Sequence, residues 1–171
     1  MTKKWSQLVL MVVSVLALAV SAGAIAAAAD DGDGDRQGDL GRYGIVGTWQ
    51  ATVNRGPTLP PVASLHSLTR SGTMTESGSD NLYRSPSYGV WEYIGHRTYA
   101  TTMVLHRFSP TGVYLGTHKI NANRRLSADG QSYVGVAIGE LRDPDGNLIA
   151  SLPPATVTAT RLQLAPIPNQ P

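Results

Sequence analysis

The run RTYATTMVLHRF (Arg97–Phe108), SPTG (Ser109–Gly112), VYLGTHKINANRRL (Val113–Leu126), SADG (Ser127–Gly130), QSYVGVAIGELR (Gln131–Arg142) and DPDG (Asp143–Gly146) decides the fold. Three segments rich in Val, Ile, Thr and Tyr alternate with four-residue breaks that end in Gly. Two of the breaks carry Pro where φ must lie near −65°, and each Gly stands where a positive φ is needed. Such breaks join neighbouring antiparallel strands as hairpins, and no competing helical periodicity runs through the segment.

Working outward, the same texture extends from Ile45 to Leu162. The predicted strands are Ile45–Asn54, Ala63–Thr69, Thr73–Ser77, Tyr88–Ile94, Arg97–Phe108, Val113–Leu126, Gln131–Arg142, Asn147–Leu152 and Thr156–Leu162. Arg70-Ser71-Gly72 supplies one more tight turn. Gly56–Pro61 and Gly78–Ser87 are too long for tight turns and are expected as loops at one mouth. Successive hairpins form a meander, and a meander of this length closes to remove its edges. The expected fold is therefore all-β, an up-and-down antiparallel barrel of eight to nine strands over residues 42–164.

Before the barrel, Lys3 and Lys4 precede an uncharged run from Leu8 to Ala29 that is apolar first and rich in small residues later. That order predicts a signal helix over residues 1–29, cleaved near Asp30, and delivery to the periplasm or the medium. A retained anchor is the alternative, although the Ala, Gly and Ser of the second half contribute little transfer energy. With the segment removed, no stable membrane insertion is expected. Residues 30–41 alternate Asp and Gly and read as a disordered linker; their carboxylates lack the Glu and the flanking helices of a Ca²⁺ loop. Residues 165–171, with three prolines, read as a frayed tail.

The chain has no Cys, which excludes disulfides, thiolate metal sites and thiol catalysis. After removal of the signal, 12 basic and 12 acidic side chains remain, five of the acids being in the linker. The slight basic excess of the barrel is far short of a nucleic-acid footprint. Its four histidines, His66, His96, His106 and His118, show no ligand spacing, so neither a metal site nor a cofactor is predicted.

Gly47-Thr48-Trp49 opens the first strand and Arg161 closes the last. With Gly72–Glu76, Tyr88–Glu92, Leu126–Gly130 and Ala159–Leu162, these residues resemble exported bacterial lipocalin-like, or calycin-like, proteins of unassigned function. The resemblance covers Gly47 to Leu162. It implies that Gly47, Trp49 and Arg161 form a structural closure, with the guanidinium over the indole. The meander, the pairing of Gly47-Thr48-Trp49 with Arg161 and the two long mouth loops together point to a small, mostly apolar molecule bound in the lumen.

Trp91, Tyr93, Tyr99, Met103 and Tyr133 are the candidate ligand-lining residues, because aromatic and thioether side chains supply apolar area; they serve equally as barrel fill. Glu76, Glu92, His66 and His106 are weak catalytic candidates. A lumenal carboxylate or His could move a proton in a cofactor-free cyclase or isomerase. Against this, Glu76 and Glu92 could simply pair with Arg70 and Arg97 on the surface. A third possibility is a protein-interaction module using the outer face.

Overall fold

A computed structural model describes residues 41–165. The signal segment, the acidic linker before Gly41 and the tail beyond residue 165 lie outside the described residues. Eight strands follow one another: β1 (Gly47–Asn54), β2 (Val62–Leu68), β3 (Thr73–Gly78), β4 (Ser87–Gly95), β5 (Thr98–Phe108), β6 (Tyr114–Leu126), β7 (Ser132–Arg142) and β8 (Leu148–Arg161). Each pairs antiparallel with the next, and β1 pairs with β8 from Trp49↔Arg161 to Asn54↔Thr156, closing an up-and-down barrel. The fold is compatible with a calycin-like barrel.

The two final strands expected from the sequence are one. Pro153 and Pro154 interrupt the apolar pattern, and a Pro inside a strand ordinarily argues for a break. Here the β7 register slips between Ala137 and Gly139, and the part of β8 before Thr156 lies past the end of β1. The missing N–H groups therefore fall at an irregularity on a strand that has lost one neighbour, and the strand continues through them.

The tight turns after β5 and β6 place Gly112 and Gly130 at φ 81° and 69°, where any side chain would be strained. The β4–β5 turn had no Gly-Asn signature to announce it. It puts His96 and Arg97 both at positive φ (49° and 57°), the twist that suits a two-residue hairpin.

Alternation sends one face of each strand into the barrel. At one end, Ile45, Trp49, Leu68, Met74, Trp91, Tyr99, Leu126 and Tyr133 form a continuous buried core. Trp49 meets Tyr133 edge-on at 5.0 Å, and Trp91 meets Tyr99 edge-on at 5.8 Å. The Arg161 guanidinium covers the Trp49 ring at 4.2 Å and donates to the carbonyls of Gly44, Val46 and Gly130. Trp49 itself donates from Nε1 to Ile45 O at 2.9 Å. A Cβ on Gly47 would stand 2.6 Å from Arg161 Nη1, so the backbone there must be bare for the arginine to reach its carbonyls. This end is filled and capped.

Candidate functional site

Cross-strand partners in a barrel share a face, and that rule assembles the site. Trp49 pairs with His66, His66 with Glu76, and Glu76 with Ser87, so one inward-facing row crosses β1 to β4. The row begins with an indole and turns polar within one strand.

Glu76 is only 6% exposed, yet its carboxylate is fully occupied. Arg84 donates to both oxygens at 2.9 Å, Ser64 donates to Oε1 at 2.5 Å, and Ser87 to Oε2 at 2.5 Å. Burial alone would raise the pKa of this carboxyl; the donors from Arg84, Ser64 and Ser87 prevail and hold it at about 2. Glu76 is thus ionised, which fixes the proton order of everything behind it. The Ser64 hydroxyl hydrogen goes to Glu76, so Ser64 Oγ accepts from His66 Nε2 at 3.1 Å. His66 Nδ1 is then the acceptor of the Tyr133 hydroxyl. Burial, reinforced by the Arg124 charge, keeps the imidazole neutral and pushes its pKa down to about 3.

Arg124, on β6, is 0% exposed. Its Nη1 donates to Thr101 Oγ1, whose own hydrogen is directed at Ala122 O, and its guanidinium lies 5.8 Å from the Tyr133 ring centroid. Nε and Nη2 have no hydrogen-bond partner. Burial pulls this guanidinium's pKa down, and the nearby Tyr133 and Glu76 act the other way.

Above these groups lies a cavity of about 420 Å³. His66, Glu76, Arg84 and Arg124 contribute its polar lining, and Met103, Leu105, Ile120, Ala137, Leu152 and Val157 much of its apolar lining. Thr58 and Leu59 from the β1–β2 loop and Asp80 from the β3–β4 loop reach it as well, so both long loops border the open end. Asp80 accepts from Arg84 Nε at 2.8 Å and from Arg55 Nη1 at 3.4 Å. His118, also lining the cavity, has its pKa lowered to about 4 by burial and by the neighbouring Arg107 and Arg84.

Of the residues singled out in the sequence, Met103 lines the cavity, whereas Trp91, Tyr93, Tyr99 and Tyr133 are packed among the aromatic rings of the closed end. Glu76 and His66 face inward; Glu92 and His106 stand exposed on the outer face, His106 against the Tyr114 ring at 5.6 Å. The cation that pairs with Glu76 is Arg84, not Arg70, because Arg70 sits in the β2–β3 turn and the Glu76 carboxylate points into the lumen. The chain reading did not single out Arg84, Arg124, Ser64, Ser87, Thr101 or the lumenal place of His118. A Cβ on Gly78 would run into Arg84 Nη2 and lie 2.8 Å from Asp80 Oδ1 and 3.1 Å from Glu76 Oε1, so the bare backbone there makes room for the ion-pair cluster.

Fold and site together define a closed eight-stranded barrel, plugged at one end by aromatic packing and open at the other to an apolar cavity with charged groups along its lining. No family model, no curated protein and no solved structure matches the chain. Among the described residues, no group of His, Asp and Glu is disposed to hold a metal ion, and no helix is long and apolar enough to cross a membrane.

Proposed function

We propose that this protein is an exported binding barrel that takes a small, mostly apolar molecule into its lumen. The observation that carries the reading is the cavity of about 420 Å³, mainly apolar in its lining and bordered by the two long loops. Its size falls within the roughly 300–1,000 Å³ of small-molecule sites, and its composition of apolar walls with a few convergent polar groups is the one such sites have. Export rests on the Lys3-Lys4 start and the apolar run after it.

The cyclase or isomerase alternative needs a group that exchanges a proton near neutral pH. Glu76 and His66 are both in the lumen, but at about 2 and about 3 they are poor bases, and every oxygen and nitrogen they offer is already bonded. Binding is therefore the reading the geometry favours over proton transfer.

Retinol, an uncharged fluorescent probe, tests it. Titration of the protein should give a saturable rise in retinol emission at one probe per barrel. Ala155 also lines the cavity, and Ala155→Phe, which adds a ring to that wall, should weaken it at least about 10-fold. Emission that never saturates, or that Ala155→Phe leaves untouched, would remove the lumen as the binding place.

A further inference from the structure

Five charged side chains line the cavity: Arg55, Arg84 and Arg124 against Glu76 and Asp80. Both carboxylates are already engaged. Glu76 is taken up by Arg84, and Asp80 is shared between Arg84 and Arg55. One cation, Arg124, is left without an ion-pair partner, and it is the most deeply buried of the five. A buried guanidinium with two unsatisfied donors is among the most unfavourable groups a core can hold, so its retention calls for an explanation in function.

The two unpartnered nitrogens are Nε and Nη2. They form one edge of the planar guanidinium and present two parallel N–H bonds, the geometry that meets the two oxygens of a carboxylate. The remaining nitrogen, Nη1, is bound to Thr101, and the Tyr133 ring lies beside the group, so the arginine is held in place with that edge uncommitted. A Cβ on Gly135 would lie 2.6 Å from Asn123 O and 3.3 Å from Arg124 Cγ, so the bare backbone there serves the neighbouring strand's carbonyl as well as the arginine's stem. Apolar surface from Met103, Ile120, Ala137 and Val157 shares the cavity with it.

We infer that the lumenal ligand is an amphiphilic monocarboxylate, its head bound side-on by Nε and Nη2 of Arg124 and its apolar body lying in the cavity toward the mouth. This rests on the lumenal-binding reading above and specifies its substrate class. A monoanion with two coplanar oxygens matches both the single surplus charge and the two free donors; a phosphate dianion would bring more charge and more acceptors than the edge supplies.

The test compares decanoate, decan-1-ol and decyl phosphate by calorimetric titration of the wild-type protein, Arg124→Met and the control Arg125→Met. Arg125 is the exposed neighbour on the outer face. Decanoate should bind wild type about 10- to 100-fold tighter than decanol, the range for hydrogen bonds to a charged group. That ratio should fall to near one in Arg124→Met and persist in Arg125→Met. Because the substitution removes an unpaired buried charge, Arg124→Met should also raise the melting temperature of the ligand-free protein; a purely structural arginine would lower it. Equal binding of acid and alcohol to wild type would overturn the inference while leaving lumenal binding intact, and that measurement needs no variant to fold. Decyl phosphate binding as tightly as decanoate would overturn the carboxylate assignment. A preference for the acid that survives Arg124→Met would overturn the role of Arg124, and failure of all three compounds alongside retinol binding would overturn the ligand class.

Discussion

Acidification should destabilise this barrel well before its carboxylates titrate, and His66 is the reason. In the fold its pKa is about 3, because burial and the charges of Arg124 and Arg84 oppose protonation more than Glu76 favours it. In the unfolded chain it returns to 6.5. Between those values the unfolded state binds a proton that the folded state refuses, so stability falls as pH drops through this window and is undiminished above it. Carrying the two values through the linkage relation from pH 7 to pH 5 gives a loss of about 2 kcal/mol from this one residue, with a slope near 1 kcal/mol per pH unit. His118, lowered to about 4, adds a contribution of the same sign, reduced by its greater contact with solvent. Glu76 acts later: its depressed pKa stabilises above the ordinary carboxylate range and is lost as pH falls from 4.5 toward about 2.

Urea unfolding followed by circular dichroism at half-unit steps from pH 7 to pH 5 measures the slope directly. His66→Gln keeps an acceptor for Tyr133 and a donor for Ser64 but cannot titrate. Whatever its absolute stability, its free energy should vary with pH by about 1 kcal/mol per unit less than that of the wild type. Parallel lines for the two proteins would mean that His66 accepts a proton in the fold, and the proton order deduced from Glu76 back to Tyr133 would be wrong.

The other expectations concern the ion pair and the plug. Glu76→Gln should cost about 2–3 kcal/mol, since Arg84 loses its buried partner and keeps only the more exposed Asp80. The double variant Glu76→Gln, Arg84→Met should recover part of that loss in urea unfolding, and a double variant as unstable as the sum of its singles would contradict the pairing. Arg161→Met removes the indole cover and frees three backbone carbonyls, so a loss of about 3 kcal/mol is expected, and Arg161→Lys should restore less than half because an ammonium cannot reach all three. Gly78→Ala, whose added carbon would intrude on Asp80 Oδ1 and Glu76 Oε1, should destabilise by about 2 kcal/mol, against the small gain that Gly→Ala gives where there is room.

The barrel was legible because its information is local. Turn chemistry sits in four consecutive residues, as in Ser127–Gly130, and the strands between turns announce themselves by composition. The Trp49–Arg161 closure was legible for another reason: its members mark the first and last strands, which any closed meander brings together. What was misread is the Pro153-Pro154 break. Whether a proline interrupts a strand depends on whether that N–H had a partner to lose, and this is set by how far β1 extends.

The site was harder because strand alternation gives two faces without saying which one is inward. On β5 the face carrying Tyr99, Thr101, Met103 and Leu105 is the buried one, and the sequence mixes polar and apolar groups on both. The ambiguity resolves once Trp49 is placed in the core, because register propagates its parity: Trp49↔His66↔Glu76↔Ser87 must all follow it inside. Propagated to β6, the same parity splits the Arg124-Arg125 pair, sending the second outward and the first into the lumen. Two adjacent arginines that look like one patch of surface charge are thus, by the period of a strand, a solvated side chain and a buried unpaired cation. A barrel filled for stability alone would carry Leu or Met at position 124. The arginine there is understood through what it can bind.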